Sequence, residues 1–356
     1  MKRLILISVA AALLISACGN KTETAVTEAT EPATEAETGP DLTGLAPNPL
    51  TGLYIDEEDA ERRPVAVMIN NNHKCLPQSG IAEADILYET LAEGEITRIL
   101  AVFQTMTGDK IGPVRSAREY YTTFALDHDA IFVHHGGSPT GYAEIRNRGV
   151  DNLDGMNGGA GFFRDKARMN APGMYEHSSY IESEGLAADI AKKGYETERS
   201  AAPMFTFSEE DRVFAGEESA TDVVIPFTYY QISEFKYDPE AMEYLRYQTG
   251  EPQIDEAAGE TLRTKNILIQ FTDIWAIPGD SEGRREMTLV GKGSGRYITN
   301  GKVTDITWEK DGLYSPTEWY DGSGKALELN KGKTWILVCP IGLDITYTAE
   351  KEAAKE

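Results

Sequence analysis

Cysteine is scarce in this sequence: only Cys18, Cys75 and Cys339 occur among 356 residues. Cys339 lies in the apolar run TWILVCP, which is typical of a buried strand. Both a bridge between Cys75 and Cys339 and two free thiols therefore stay open. No CxxC or HExxH motif is present. The five histidines lack zinc-ligand spacing apart from the adjacent pair His134 and His135. Strand neighbours point to opposite faces, so the sequence predicts no metal site and no cofactor.

Basic residues are also in short supply. Lysine and arginine number 34 against 58 aspartates and glutamates, which gives a formal net charge of -24. The acidic excess is spread along the whole chain and is not confined to one segment. Such a surface repels phosphate backbones, so we expect no nucleic-acid partner. An acidic surface that keeps the protein soluble is the simpler interpretation.

The motifs of two common enzyme classes are missing. There is no G-x-S-x-G turn, and both Ser116 and Ser138 occupy positions where helix N-caps are expected, which argues against a serine hydrolase. The glycine-rich stretch GMNGGAGFFRDKAR has neither G-x-G-x-x-G nor Walker spacing. Nucleotide binding is therefore not supported.

Long hydrophobic runs are absent except at the N-terminus. Lys2 and Arg3 precede an apolar run from Leu4 to Ile15, which is too short for a stable membrane span. The following residues, Ile15-Ser16-Ala17-Cys18, are similar to a bacterial lipobox. The sequence thus predicts a lipoprotein signal peptide over residues 1–18 and lipidation of Cys18. We expect an extracytoplasmic protein whose partner is the cell membrane, to which the lipid on Cys18 anchors it.

The rest of the chain divides by composition. Residues 19–45 are rich in Thr, Glu, Ala and Pro, which predicts a disordered acidic tether. Strands and helices alternate up to about residue 205, and strands dominate afterwards, with Asn300-Gly301 predicted to form a hairpin turn. We predict an α+β fold with an N-terminal mixed α/β domain over residues 46–205, a C-terminal mostly antiparallel β domain over residues 206–345, and a charged tail over residues 346–356.

The stretch DKIGPVRSAREYY carries two arginines beside a predicted helix start. Ser116 and Glu119 have the S-x-x-E spacing of a capping box, so the helix is expected to begin at Ser116. Arg115 and Arg118 then surround a helix N-terminus, which itself attracts anions. The pair is either an anion site or one half of a buried ion-pair network with a carboxylate from Glu89, Glu93 or Glu95. The sequence leaves both hypotheses open.

Other polar residues in the same unit end strands or begin helices. Glu89, Glu93 and Arg98 lie around the predicted hairpin YETLAEGEITR, and His134-His135-Gly-Gly-Ser138 ends a strand where a helix begins. These features could line one cleft together with Arg115 and Arg118. A histidine at a strand end could also act as a general acid or base.

Several long motifs, including RPVAVMINNN, IGPVRSAR, HHGGSP and LNKGKTWILV, resemble the YerB-like lipoprotein family. The resemblance runs from about Asn48 to Pro340. It implies an N-terminal α/β unit packed with a C-terminal mostly β unit in a layered β/β/α arrangement. It implies no activity.

Two functions remain. The first is a non-catalytic envelope lipoprotein that binds a cell-wall ligand or an envelope protein through the predicted cleft. The alternative is an enzyme that acts on cell-wall or glycan material, with His134 or His135 and a carboxylate such as Glu93 in acid–base roles. The incomplete set of catalytic residues favours the first.

Overall fold

The computed structural model describes residues 41–214 and 217–349. The predicted signal peptide, Cys18, most of the tether and the end of the charged tail lie outside the described residues. The described residues from Leu42 onward belong to one compact unit. No helix among the described residues has both the length and the apolar composition that a membrane crossing requires.

One sheet of eleven strands runs through the molecule and takes strands from both predicted domains. In spatial order it contains β11 (Glu218–Ser219), β23 (Lys302–Lys310), β22 (Gly291–Thr299), β19 (Asn266–Thr272), β26 (Thr334–Pro340), β4 (Ile86–Leu91), β5 (Thr97–Phe103), β3 (Val65–Asn70), β6 (Ile131–His134) and β7 (Asn152–Asp154), with β24 (Glu318–Asp321) beside β23. The two halves of the chain join where β26 pairs in parallel with β4, Thr334 opposite Ile86. The domain boundary near residue 205 stays a prediction.

A second, antiparallel sheet covers one face of the first. Its strands are β15 (Glu251–Pro252), β14 (Glu243–Gln248), β13 (Ile232–Asp238), β12 (Asp222–Pro226) and β27 (Thr346–Thr348), with β18 (Arg263–Thr264) beside β14. Residues 346–348, assigned to the charged tail by sequence, thus form a strand. Among the described residues, five strand pairs lie outside both sheets: β1 (Leu45–Pro47) with β2 (Tyr54–Asp56), β8 (Phe162–Arg164) with β9 (Ser179–Ile181), β10 (Thr206–Phe207) with β25 (Glu328–Leu329), β16 (Ile254–Asp255) with β17 (Glu260–Thr261), and β20 (Ile274–Ala276) with β21 (Arg285–Met287).

The helices are few and short. They are α1 (Glu57–Ala60), α2 (Glu119–Leu126), α3 (Pro139–Arg148), α4 (Lys166–Asn170) and α5 (Ser183–Lys193), together with 3-10 turns at His73–Cys75, Ile81–Glu83, Gly155–Asn157 and Tyr175–His177. Ser138 caps α3 with Pro139 in its first turn, as predicted. Asn300 and Gly301 form the predicted turn between β22 and β23, both with positive φ.

Alternation along the central strands builds two cores. In β3, Val67 and Ile69 belong to the core that includes Val223 and Phe235 of the second sheet. Between them, Met68 belongs to the core on the opposite face, which includes residues of α2 and α3. Because strand side chains alternate, the eleven-stranded sheet is the middle of three layers. The predicted α+β class and its β/β/α layering are confirmed.

An ion pair is buried where the two sheets meet. Glu89 on β4 and Arg246 on β14 are both fully buried, and Nη2 of Arg246 lies 3.1 Å from Oε2 of Glu89. The guanidinium lies over the rings of Phe235 and Trp335. The carboxylate accepts further hydrogen bonds from Asn71, Thr97, Ser233 and Trp335. Burial lowers the pKa of Arg246, and the Glu89 carboxylate opposes that shift.

Removing either Glu89 or Arg246 should leave the other charge buried without a counter-ion. We expect Arg246→Met to lower the free energy of unfolding by about 3–5 kcal/mol, and the double variant Glu89→Gln/Arg246→Met to lose less than Arg246→Met alone. Urea unfolding of each variant measures these differences. Arg62→Ala is the control, since Arg62 pairs with Glu58 in solvent and should cost less than about 1 kcal/mol. A comparable small loss for Arg246→Met would contradict this account.

Candidate functional site

The segment before α2 is extended and does not begin a helix at Ser116. Val114 N–H donates to Ser179 O at 2.7 Å, Arg115 N–H to Met68 O at 2.9 Å, and Ala117 N–H to Gly136 O at 2.9 Å. These hydrogen bonds to neighbouring chain segments hold residues 114–117 in an extended conformation. Helix α2 therefore starts at Glu119 with Arg118 in the N-cap position.

The predicted capping box is wrong in both of its partners. Ser116 Oγ donates to His135 O at 3.0 Å instead of capping a helix. The Glu119 carboxylate accepts a hydrogen bond from Thr140 Oγ1 at 2.7 Å, across at the start of α3. The N-terminus of α3, one of the predicted anion sites, thus already has a carboxylate beside it.

Arg118 belongs to a buried cluster with Glu93 and Arg98. Its Nε and Nη2 lie 3.1 and 2.8 Å from Glu93 Oε2, while Arg98 Nη2 donates to the other carboxylate oxygen. Arg98 Nη1 and Arg118 Nη1 donate to the carbonyls of Ser116 and Ala117 at 2.6 and 2.8 Å. Burial raises the pKa of Glu93, but Arg98 and Arg118 together lower it further, so its pKa lies below the usual range. Glu93 is therefore held ionised.

Arg115 points away from that cluster. Its Nη1 and Nη2 donate to Glu176 O at 2.8 Å and to Glu176 Oε2 at 3.0 Å. Neither Glu89, which pairs with Arg246, nor Glu95, which has no ion pair among the described residues, contacts it. The expected convergence of both arginines on one carboxylate is correct for Arg118 and wrong for Arg115, because the extended backbone sends alternate side chains in different directions.

The two histidines lie in different surroundings. His134 is fully buried, with Nδ1 2.7 Å from Gly136 O and Nε2 3.2 Å from Asn152 Oδ1. His135 lies on the other face and is half-buried, with Nδ1 2.7 Å from Ser179 Oγ. Ser138 serves α3 as its cap, with Oγ accepting from Gly141 N–H at 2.9 Å.

A pocket of about 410 Å³ opens between the Val114–Ser116 segment, the turn after β6 and the residues that follow α4. Of the predicted residues, it contains Arg115 and His135. Glu89, Glu93, Arg98, Arg118, His134 and Ser138 do not line it. The pocket instead gains four residues that sequence reasoning missed: Arg164, Tyr175, Glu176 and Ser179. Their only sequence signal is position: Arg164 lies within the glycine-rich stretch GMNGGAGFFRDKAR, and the other three follow it.

Arg164 is the cation without a carboxylate partner in this pocket. Its Nη1 donates to Tyr175 O at 2.9 Å and Ser178 Oγ at 3.1 Å, and its guanidinium lies 4.2 Å from the centre of the Tyr175 ring. Within the described residues no Asp or Glu forms an ion pair with it. The only acidic side chain lining the pocket is Glu176, which Arg115 already engages.

Arg164 determines the proton position on its neighbour His135. Arg164 Nη2 lies 3.3 Å from His135 Nε2. A guanidinium only donates, so Nε2 must accept, and the proton must sit on Nδ1, which donates to Ser179 Oγ. Burial, then the charge of Arg164, lowers the pKa of His135, so the ring is neutral near pH 7. In this tautomer His135 cannot remove a proton from Ser179.

Neither of the two cysteines among the described residues lines the pocket. Cys75 and Cys339 are both buried and unbridged, so of the two possibilities the structure has free thiols. Burial raises the pKa of Cys75 to about 12 and that of Cys339 well above its ordinary value, which keeps both protonated. Among the residues with described positions, no group of three His, Cys, Asp or Glu side chains could hold a metal ion.

Comparison with known proteins identifies the family. A family model described as "Protein of unknown function (DUF3048) N-terminal domain" matches residues 50–196, and the model of the corresponding C-terminal domain matches residues 223–336. Together these ranges cover well over half of the chain. The chain belongs to the DUF3048 family.

The YerB protein of Bacillus subtilis is similar to this DUF3048 chain in sequence and in structure. A protein with the name "Putative lipoprotein YerB" is 35% identical over 313 residues, which are 85% of this chain and 88% of that protein. A crystal structure of the YerB protein matches with a TM-score of 0.74 at 34% identity, covering 85% of this chain and 99% of the other. The YerB-like resemblance of the sequence is confirmed.

The two arginines of this DUF3048 chain should respond differently to a change to lysine. Lysine cannot replace the paired hydrogen bonds of Arg118 to Glu93 and two carbonyls, so we expect Arg118→Lys to cost about 2–4 kcal/mol. Arg115 lies at the pocket edge beside a Glu176 side chain that is 63% exposed, so Arg115→Lys should cost less than about 1 kcal/mol.

Urea unfolding of both lysine variants beside the unchanged chain measures this contrast. Equal losses for the two substitutions would show that Arg115 is as much a part of the scaffold as Arg118.

Proposed function

We propose that this chain is a lipoprotein held at the outer face of the cell membrane by a lipid on Cys18. The apolar run and lipobox-like residues at the N-terminus support this, as does the name of the Bacillus subtilis relative. A single lipid attachment is then the sole tether, because the acidic segment after it adds no attraction to anionic headgroups. Cell fractionation of Cys18→Ser tests the proposal: release from the membrane is expected, and retention would contradict it.

We further propose that the protein binds an anionic ligand, a carboxylate or phosphate compound, in the pocket between Arg115 and Arg164. The observation that carries the proposal is Arg164, a cation with no acidic partner in the described chain, aimed at a neutral histidine. A guanidinium has five donors in a fixed fork that matches carboxylate and phosphate oxygens. Its surroundings use only part of that capacity.

The electrostatic balance around the pocket supports an anion. Behind Arg115 lies the cluster of Arg98, Arg118 and Glu93. With Asp154, which accepts hydrogen bonds from the pocket residues Gly136 and Tyr142, four guanidiniums meet three carboxylates in this region. This local positive surplus occurs in a chain whose formal net charge is -24. A positively charged pocket on an acidic protein attracts small anions. An extended polyanion would also contact the surrounding acidic surface and be repelled by it.

Binding without catalysis is the function that we favour. Glu93, the carboxylate considered for acid–base chemistry, is ion-paired to two arginines and does not line the pocket. His135 holds its Nδ1 proton toward Ser179, the reverse of what an activated serine needs. The pocket therefore supplies donors for an anion, whereas its acceptors Glu176 and His135 Nε2 are already engaged by Arg115 and Arg164.

Thermal unfolding with added anions tests this proposal. We expect inorganic phosphate or citrate to raise the melting temperature of the full chain relative to sodium chloride at equal ionic strength, since ligand at a hundred times its Kd adds about 2.7 kcal/mol to stability. Arg164→Gln should melt near the unchanged chain yet lose the anion-induced shift.

The matched control is Arg62→Gln, an exposed arginine outside the pocket, which should keep the shift. The proposal fails if no anion shifts the unchanged chain, or if Arg164→Gln retains the full shift.

A further inference from the structure

A second cleft, of about 470 Å³, lies between helices α2 and α3 and the β20–β21 hairpin. Helix α3 contributes to both concavities: Tyr142 lines the arginine pocket, and Glu144 lines this cleft. One wall is apolar and comes from the hairpin and two nearby loops: Trp275, Met287, Leu289, Val290 and Leu313. The opposite wall is the polar face of the two helices. The cleft therefore has one apolar wall and one polar, charged wall.

Three of the five side chains that form the apolar wall are exposed to solvent. Trp275 is 42% exposed, Leu313 41% and Val290 39%. The other three tryptophans, Trp308, Trp319 and Trp335, are at most 5% exposed. Grouped large apolar side chains with polar residues around them mark interaction surfaces, because covering them removes apolar area from water.

The charge of the cleft is negative. Glu144 is neutralised by Arg148, whose Nε lies 2.7 Å from Glu144 Oε2. Glu119 receives hydrogen bonds from hydroxyl groups only, and neither it nor Glu286 pairs with a Lys, Arg or His in the described part of the chain. Glu286 lies directly opposite Trp275 in the β20–β21 ladder. Two uncompensated carboxylates therefore accompany an exposed aromatic ring.

We propose that this cleft docks a basic, amphipathic peptide segment of a partner protein. Its apolar side chains would pack on Trp275 and Leu313, and its Lys or Arg side chains would meet Glu119, Glu286 and the tryptophan face. The negative charge of the cleft argues against two other occupants, a second copy of this chain and the segment of residues 19–45. A second copy of this chain carries a net charge of -24, and residues 19–45 are themselves acidic, so both are repelled by these carboxylates.

Trp275 supplies the measurement, because it is the only one of the four tryptophans that is accessible to a soluble quencher. The full chain is titrated with a short Lys/Leu peptide, with its Glu/Leu counterpart and with a neutral chitin oligosaccharide, while acrylamide quenching of tryptophan fluorescence is followed. We expect the Lys/Leu peptide alone to protect the fluorescence, and Trp275→Phe to lose the accessible signal. Glu119→Gln/Glu286→Gln should bind that peptide on the order of tenfold more weakly.

Glu260→Gln is the matched control, an exposed glutamate outside the cleft, and should bind as the unchanged chain does. Equal protection by the Glu/Leu peptide would overturn the charge argument. Protection by the oligosaccharide but not by the Lys/Leu peptide would assign the tryptophan to a sugar site instead. Protection that appears without any probe as protein concentration rises would assign the cleft to self-association.

Discussion

The buried ion pair of Glu89 and Arg246 is the contact on which the rest of the molecule depends. It joins the central sheet to the second sheet in a region from which water is excluded, so each charge is stable only while the other is present. Four residues beyond Glu89 and two beyond the end of β4, Glu93 pairs with Arg98 and Arg118, and these donate to the carbonyls of the segment before α2. Those hydrogen bonds, with the one from Arg115 N–H to Met68 O, hold the segment that places Arg115 at the pocket.

Two arginines three residues apart thus have different roles. Arg118 is buried and its hydrogen-bonding groups are used by the scaffold, whereas Arg115 faces the pocket together with Arg164. The surplus of positive charge persists because the only acidic side chain lining the pocket, Glu176, is engaged by Arg115 and does not reach Arg164. Helix α3 lies between this cationic pocket and a negative cleft, so the two ligands that we propose carry opposite charges.

Sequence reasoning predicted the layers well and the site only in part. The alternation of apolar side chains in β3 and the turn at Asn300-Gly301 depend on residues that are adjacent in sequence. The fold class and the hairpin could therefore be predicted. The capping box failed because hydrogen bonds from distant segments override the local preference for a helix at Ser116. Arg246 and Arg164 could not be assigned as partners, since each lies far along the chain from the residue it meets and no local pattern reports such pairing.

The central claim is that Arg164, which has no acidic partner among the described residues, lies beside a neutral His135 and binds an anion. Nitrogen-detected NMR of the His135 ring across a pH titration, with and without inorganic phosphate at constant ionic strength, tests it most directly. The account predicts a proton on Nδ1, a pKa below the ordinary value of about 6.5, and a rise in that pKa when phosphate neutralises Arg164. A pKa at or above the ordinary value that phosphate leaves unchanged would contradict it.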